Sequence, residues 1–232
     1  SFCDEVVVID SFSEDRTVEI AKSLGAKVLQ RKWPGYRAQK AFGLEQVEHE
    51  WVLNLDADER VSDELREEIQ KALAKDSKDI VAYEVNRVVY HLGRWWRSGG
   101  WYPEYRVRLM KKSVTTWGGV DPHEKPIVEG PIARLGGELL HYTYKDLDDQ
   151  FSRLGKFSSI AAMEEYKRGR RAGFTDIVCN PVLRFIKFYF LKLGLREGMA
   201  GFIVAMNEFF YTFMKYSKLW EIEKIKKKNE DR

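Results

Sequence analysis

Residues 51–60 read WVLNLDADER. Trp51 to Leu55 is an apolar run interrupted only by Asn54, and it closes in three acids, Asp56, Asp58 and Glu59. A short apolar run of this kind is the pattern of a strand buried on both faces, as in a sheet covered by helices. Downstream, Ser62 caps a helix running to about Ala74, a capping-box pattern with Leu65 in place of the acid. Upstream, Arg37 to Glu48 spaces Ala38, Ala41, Phe42, Leu44 and Val47 as one helical face, after a loop at Trp33–Tyr36. Ala26 to Leu29 is a short strand. Before it, Val18, Ile20, Ala21 and Leu24 form a helix that Gly25 ends. The β-branched run Glu5–Asp10 opens the series and also closes in an acid. Strand and helix alternating at this spacing predict a parallel α/β sheet with right-handed crossovers. Asp10, Asp56 and Asp58 then lie at carboxyl ends of strands, where open α/β sheets bind ligands.

Toward the C-terminus the pattern changes. Ile80–Tyr90 and Glu104–Lys111 read as longer strands around an aromatic, glycine-rich loop at residues 92–103. Trp117-Gly118-Gly119-Val120-Asp121-Pro122-His123-Glu124 follows, then a last strand from Gly137 to His141. From about Asp146 the pattern is helical only. Phe151–Tyr166 is amphipathic, Lys167, Arg168, Arg170 and Arg171 form a basic cluster, Asn180-Pro181 starts a further helix, and Gly198 and Gly201 break the pattern near a third. The expected organisation is an α/β domain over residues 1–145 and a helical, membrane-proximal extension over 146–232.

Composition narrows the function classes. The 232 residues are 44% hydrophobic and 32% charged, with a net charge of +3. That balance is globular and excludes a bulk-basic nucleic-acid binder, so no nucleic-acid partner is expected. Cys3 and Cys179 fit no zinc spacing and read as unpaired thiols of a reducing compartment. Asp4 and Glu5 stand where a secretion signal would be basic. The longest apolar run, Met199 to Met206, is about eight residues against the ~20 that span a bilayer.

Two acids one residue apart after a buried strand can reach one hard divalent cation, and such a cation can neutralise a diphosphate leaving group. Acids that start a helix produce the same pattern by complementing its dipole. The remaining motifs bear on the choice. VVVIDSFSEDRTVEIA (residues 6–21), AQKAFGLEQVEHEWVLNLDADE (38–59), WYPEYRVRLMKK (101–112), WGGVDPHEKP (117–126) and LLHYTY (139–144) occur in this order. Together they resemble the family-two glycosyltransferases of the GT-A fold, and within them the branch that adds β-1,4-glucose to lipooligosaccharide core. The resemblance covers roughly residues 4–150, and the C-terminal helices also look like that branch.

The resemblance implies a Rossmann-like mixed sheet and inverting transfer of a hexose, glucose from UDP-glucose, to a lipid-linked saccharide such as lipopolysaccharide core. It places Asp10, Lys40 and Asp56 at the nucleotide sugar, and Asp58, Asp56 and His141 at a Mn²⁺ or Mg²⁺ ion. The base that deprotonates the acceptor is Glu124 first, with Asp121 and Glu104 as alternatives. Trp96, Trp101, Tyr102 and His123 are candidates for the acceptor side; packing in a core is the competing role for the tryptophans. The family carries one more strand and helix before the point where this sequence starts, so the sheet is expected to lack its first strand. The C-terminal helices place Arg184, Lys187 and Lys192 roughly opposite Phe185, Ile186, Tyr189, Phe190 and Leu193, which suits an anionic membrane surface. The implied location is the cytoplasmic face of the plasma membrane, held peripherally. A nucleotidyltransferase on a similar sheet, and a non-catalytic module that docks through its helices, are the rival readings.

Overall fold

The computed structural model describes residues 2–75, 77, 79–119 and 124–230, with side chains through residue 225. It divides into two compact units, one of residues 1–86 and 105–139, the other of residues 87–104 and 140–232. The second unit therefore takes in the aromatic loop as well as the helices, a grouping made by tertiary packing rather than by a single cut of the chain.

The first unit begins with β1 (Val7–Asp10), α1 (Thr17–Ser23) and β2 (Lys27–Gln30). β1 and β2 pair in parallel, Val7 opposite Lys27 and Asp10 opposite Gln30. Then come α2 (Tyr36–Gln46), β3 (Trp51–Leu53), β4 (Glu59–Val61) and α3 (Asp63–Ala74). Ser62 Oγ accepts from Leu65 N at 3.1 Å, the expected cap. β5 (Ala82–His91) runs from this unit into the second, where it pairs with β6 (Arg94–Trp95). β7 (Tyr105–Lys111), β8 (Thr115–Gly118), β9 (Lys125–Val128) and β10 (Ile132–His141) complete the strands.

The main sheet has the order β3-β7-β5-β10-β4, while β1-β2 and β8-β9 are separate two-stranded sheets. The fully parallel arrangement expected from the alternating pattern is thus not the one formed. β1-β2 is parallel, but β3 pairs antiparallel with β7, Val52 opposite Met110. The partner of β3 lies more than fifty residues downstream, where local periodicity carries no information about pairing. The core under this sheet is Leu65, Ile69, Tyr83, Val85, Leu109, Leu135 and Leu139. β10 also starts earlier than expected, at Ile132, because Gly136 and Gly137 are accommodated inside it. Both donate backbone N–H groups to Glu68 Oε2, at 2.6 and 3.2 Å. A Cβ on Gly137 would meet the backbone of Leu65, which cannot rotate away. Gly137→Ala is accordingly expected to cost about 1–3 kcal/mol by overpacking α3 against β10, read as a lowered midpoint in urea.

In the second unit, α4 (Leu147–Lys167) is capped by Asp146, whose side chain accepts from Asp149 N at 2.8 Å. α5 (Phe174–Ile186) begins six residues before the expected Asn180-Pro181 start. Asp176 anchors that earlier start by accepting from Gly173 N (3.0 Å) and Asn180 Nδ2 (3.1 Å). Pro181 is carried inside the helix at the loss of one backbone hydrogen bond. α6 (Gly198–Glu230) starts at Gly198 and passes straight through Gly201. Gly201 is required by contact rather than by flexibility, since a Cβ there would meet the carbonyl of Gly194. Two clusters close the unit: Trp96, Phe188, Val204 and Ala205, and Ala162, Ala172, Tyr216 and Leu219. Among the described residues, no helix is long and apolar enough to cross a membrane. Cys3 and Cys179 form no disulfide, and both are exposed.

Candidate functional site

The acids at the strand ends of the first unit are held by different means. Asp10 closes β1 and is buried. Its carboxylate accepts from the backbone N–H of Phe12 (2.9 Å) and Ser13 (3.1 Å), from the Ser13 hydroxyl, and from Gln30 Nε2 (2.9 Å). The Ser13 and Gln30 bonds to the charged form hold this carboxyl below its ordinary range. Asp10 thereby fixes the loop after β1, in which Phe12 takes a left-handed backbone (φ 64°). Gln39 of α2 reaches beneath the same turn, donating to Ile9 O (3.3 Å) and Ser11 Oγ (3.2 Å).

The next residue of α2, Lys40, is the hub of the site. Its Nζ lies 2.8 Å from Asp56 Oδ1 and 3.2 Å from Glu124 Oε1. It also stands 5.3 Å above the ring of Trp117. The Glu124 side chain is only 9% exposed, and its second oxygen, Oε2, is buried without a hydrogen-bond partner among the described residues. Trp117 Nε1 is likewise buried and unpartnered among them. Buried polar atoms are rarely left this way, so two of them on side chains that both neighbour Lys40 mark a place prepared for polar groups of a ligand or water.

Asp56 is gripped from its other side. Its Oδ2 lies 2.8 Å from Arg108 Nη2, and Arg108 also pairs with Glu59, whose side chain is fully buried. Glu59 Oε2 accepts from Asp56 N at 3.0 Å, and Glu59 N donates to Asp56 O at 3.0 Å. Arg108 O accepts from Asn54 N at 2.8 Å. The stretch Asn54–Glu59 is therefore tied at both ends to the middle of β7. Burial works to raise the Asp56 pKa, but the neighbouring charges of Arg108 and Lys40 outweigh it and bring the carboxyl down to about 2. Asp58 sits half-buried on the turn between Asp56 and Glu59.

Glu59, Arg108, Asn54, Gln39 and Trp117 are site residues that the sequence reading passed over. Arg108 had a signal: a charged residue inside the apolar run Val107–Met110 of a strand must be paired if it is buried. Its partners were not legible, because they come from another strand.

The other candidates are distributed as follows. Asp121 and His123 lie outside the described residues. Glu104 belongs to the second unit, where Arg87 holds both of its oxygens, Nε to Oε2 at 3.0 Å and Nη2 to Oε1 at 3.0 Å. A carboxylate bound in this bidentate way has less freedom to take a proton than Glu124. His141, also in the second unit, is buried with Nδ1 2.7 Å from Thr143 Oγ1. Trp96 has no exposed surface and donates its Nε1–H to His91 O at 3.0 Å, so it offers no face to a sugar and serves the core. Trp101 packs against it at 5.2 Å between centroids and is half-buried, as is Tyr102. A second aromatic group, Tyr90, Trp95 and Tyr142, has centroids 5.0–5.5 Å apart and stays partly open to solvent.

Among the described residues, no group of three or more His, Cys, Asp or Glu side chains is arranged to hold a metal ion. Asp56 and Asp58 each carry carboxylate oxygens, the hard donors that such an ion takes. Mg²⁺-type ions commonly take one or two carboxylates from protein and the rest of their shell from water and substrate phosphates. Both Asp56 oxygens already have cationic partners.

Comparison with known proteins agrees with this architecture. The model of the family described as Glycosyl transferase family 2 matches residues 3–126. A lipopolysaccharide core biosynthesis glycosyltransferase of Rhizobium meliloti, LpsC, is 30% identical over 231 residues, covering 97% of this chain and 85% of that protein. An uncharacterized glycosyltransferase of Rickettsia typhi is 30% identical over 237 residues (97% and 80%), and one of Rickettsia bellii is 29% identical over 233 residues (96% and 79%). The mixed sheet followed by helices is consistent with the GT-A glycosyltransferase fold. With a family match over more than half its length and a relative aligned almost end to end, the chain belongs to glycosyl transferase family 2.

Proposed function

We propose that the protein transfers a hexose, glucose from UDP-glucose, with inversion onto a lipid-linked saccharide of the lipopolysaccharide-core type. The observation that carries the reading is the Lys40 ammonium shared by Asp56 and Glu124, with Glu124 Oε2 buried and unpartnered among the described residues. A donor-side acid and a candidate base are thereby coupled through one cation. The R. meliloti relative is named for lipopolysaccharide core biosynthesis, which supports this acceptor class.

In this reading Glu124 Oε2 accepts the proton of the acceptor hydroxyl as that oxygen attacks the anomeric carbon. The new glycosidic C–O bond forms as the C–O bond to the diphosphate breaks, and a single displacement inverts the anomeric centre. Lys40, within reach of both acids, supplies positive charge toward the departing diphosphate. A Mn²⁺ or Mg²⁺ ion held by Asp58 with Asp56 would add charge neutralisation at the same diphosphate. Asp10 braces the loop after β1 on the nucleotide side.

Calorimetric titration of UDP and UDP-glucose, with and without Mn²⁺, tests the donor half. Metal-dependent binding that Asp58→Ala weakens by at least about tenfold, with the melting temperature unchanged, is expected. Equal binding by Asp58→Ala would remove the metal assignment, and no binding of either nucleotide by the native chain would remove the donor assignment.

A further inference from the structure

α5 and the turns after it are apolar on opposite faces. One face packs inward: Pro181 and Phe188 are buried, and Phe185 and Tyr189 lie against the cluster of Trp96, Val204 and Ala205. The expected division into one apolar and one basic side therefore does not hold, because Phe185 and Tyr189 turn inward while Ile186 and Phe190 turn outward. Phe174, Val178, Val182, Ile186 and Phe190 recur every four residues, and all are exposed. Beyond the helix, Leu191 and Met199 are exposed as well. Phe174 is 80% exposed, Leu191 74% and Met199 73%. A helix that is apolar all round is ordinarily buried on all sides, and a contiguous exposed patch of this kind marks an interaction surface.

Charge indicates what covers it. From Lys167 to Phe202 there are eight Lys and Arg residues against two acids, Asp176 and Glu197, a net of +6, of which Lys167, Arg170 and Arg184 are paired with Glu164, Glu165 and Glu208 outside the segment. With +3 for the whole chain, everything else carries −3. Lys187, Lys192 and Arg196 are exposed among the outward apolar residues. Basic side chains interleaved with exposed Phe, Leu and Met, on a segment that does not span a membrane, match the interface of an anionic bilayer. A protein partner or a second copy would have no need of so one-sided a charge.

We infer that the outer face of α5 and the segment up to Phe202 is a docking surface for an anionic phospholipid membrane. Leu183, which is 60% exposed, Phe190 and Leu191 enter the headgroup boundary, and Lys187, Lys192 and Arg196 contact lipid phosphates. The inference deepens the reading of a lipid-linked acceptor and rests on it only for its biological purpose.

The test is co-sedimentation of the full chain with phosphatidylcholine vesicles, with and without 30% phosphatidylglycerol, in the absence of donor and acceptor. Binding at least about tenfold tighter to the anionic vesicles, weakening as salt rises, is expected. Leu183→Ser with Phe190→Ser should lose about tenfold or more, and Lys187→Glu with Lys192→Glu should abolish the preference for anionic lipid. All four positions are exposed, so folding is preserved, which an unchanged melting temperature checks. Equal binding to both vesicle types, or unchanged binding by the serine variant, would overturn the inference. So would a solution dimer that the serine variant dissociates, which would make a second copy the occupant. UDP binding by the same variants keeps the two readings apart: loss of vesicle binding with UDP binding intact concerns this surface alone.

Discussion

Glu124→Gln is expected to lower sugar transfer by roughly 10²–10⁴-fold while UDP affinity stays within about threefold. The substitution keeps the shape of the side chain, and its amide oxygen can still face Lys40, now 3.2 Å from Oε1. What it removes is the basicity of Oε2, the atom buried without a partner among the described residues. A positioning defect would raise KM or weaken nucleotide binding, whereas loss of a base acts on kcat. Single-turnover transfer beside calorimetry separates the two. Glu104 is the weaker rival because Arg87 engages both its oxygens. If Asp121→Asn rather than Glu124→Gln removes turnover, the base is Asp121.

The second large effect is on stability. Arg108→Met should destabilise the fold by about 3–5 kcal/mol, because it takes the Arg108 charge away from the fully buried Glu59 carboxylate. Adding Glu59→Gln should recover a substantial part of that loss, since a neutral amide beside Met costs less than an unpaired charge. A double-mutant cycle by urea denaturation reads this directly. Additive losses would mean that the Arg108–Glu59 pair is not the source. The surviving folded fraction of Arg108→Met should also bind UDP more weakly, because Asp56 loses the partner of its Oδ2 and the loop Asn54–Glu59 loses its anchor.

The pH dependence follows from the same network. The Asp56 carboxyl is lowered from 3.8 in the unfolded chain to about 2 in the fold. Its contribution to stability is therefore fully present above pH 4 and is lost as pH falls through about 2. The side chain is 32% exposed, so solvent screening limits that contribution to at most about 2 kcal/mol. In Arg108→Met the acid-induced loss in this window should be smaller, because the main lowering charge is gone.

Much of the site and fold could be read from local pattern. The apolar run before Asp56, the Ser62 cap and the β1-α1-β2-α2-β3 alternation depend on neighbouring residues, and strand burial and helix capping are local physics. The acids Asp10, Asp56 and Asp58 were visible because strand ends in such sheets are where the chain turns over the crevice.

Other features were decided only by tertiary structure. The pairing of β3 with β7 joins segments far apart in sequence, and pairing direction has no local signature. Arg108 could be marked as a buried charge, but that it grips Asp56 and Glu59 depends on the register of that pairing. Lys40 could be placed near phosphate by resemblance, but its simultaneous hold on Asp56 and Glu124 depends on the packing of α2. Trp96 and Trp101 were equivalent in sequence, and helix contacts chose which one lost all its surface. The start of α5 at Phe174 rather than at Asn180-Pro181 was set by the Asp176 side chain, a competition between capping and a proline that a helix can absorb. The amino-acid sequence by itself determined the run β1, α1, β2, α2, β3 and α3, because those elements follow from short-range periodicity and capping. The tertiary structure alone decided which charges neutralise one another and which apolar face of α5 stays open, because both depend on long-range packing that brings distant segments within a few ångströms.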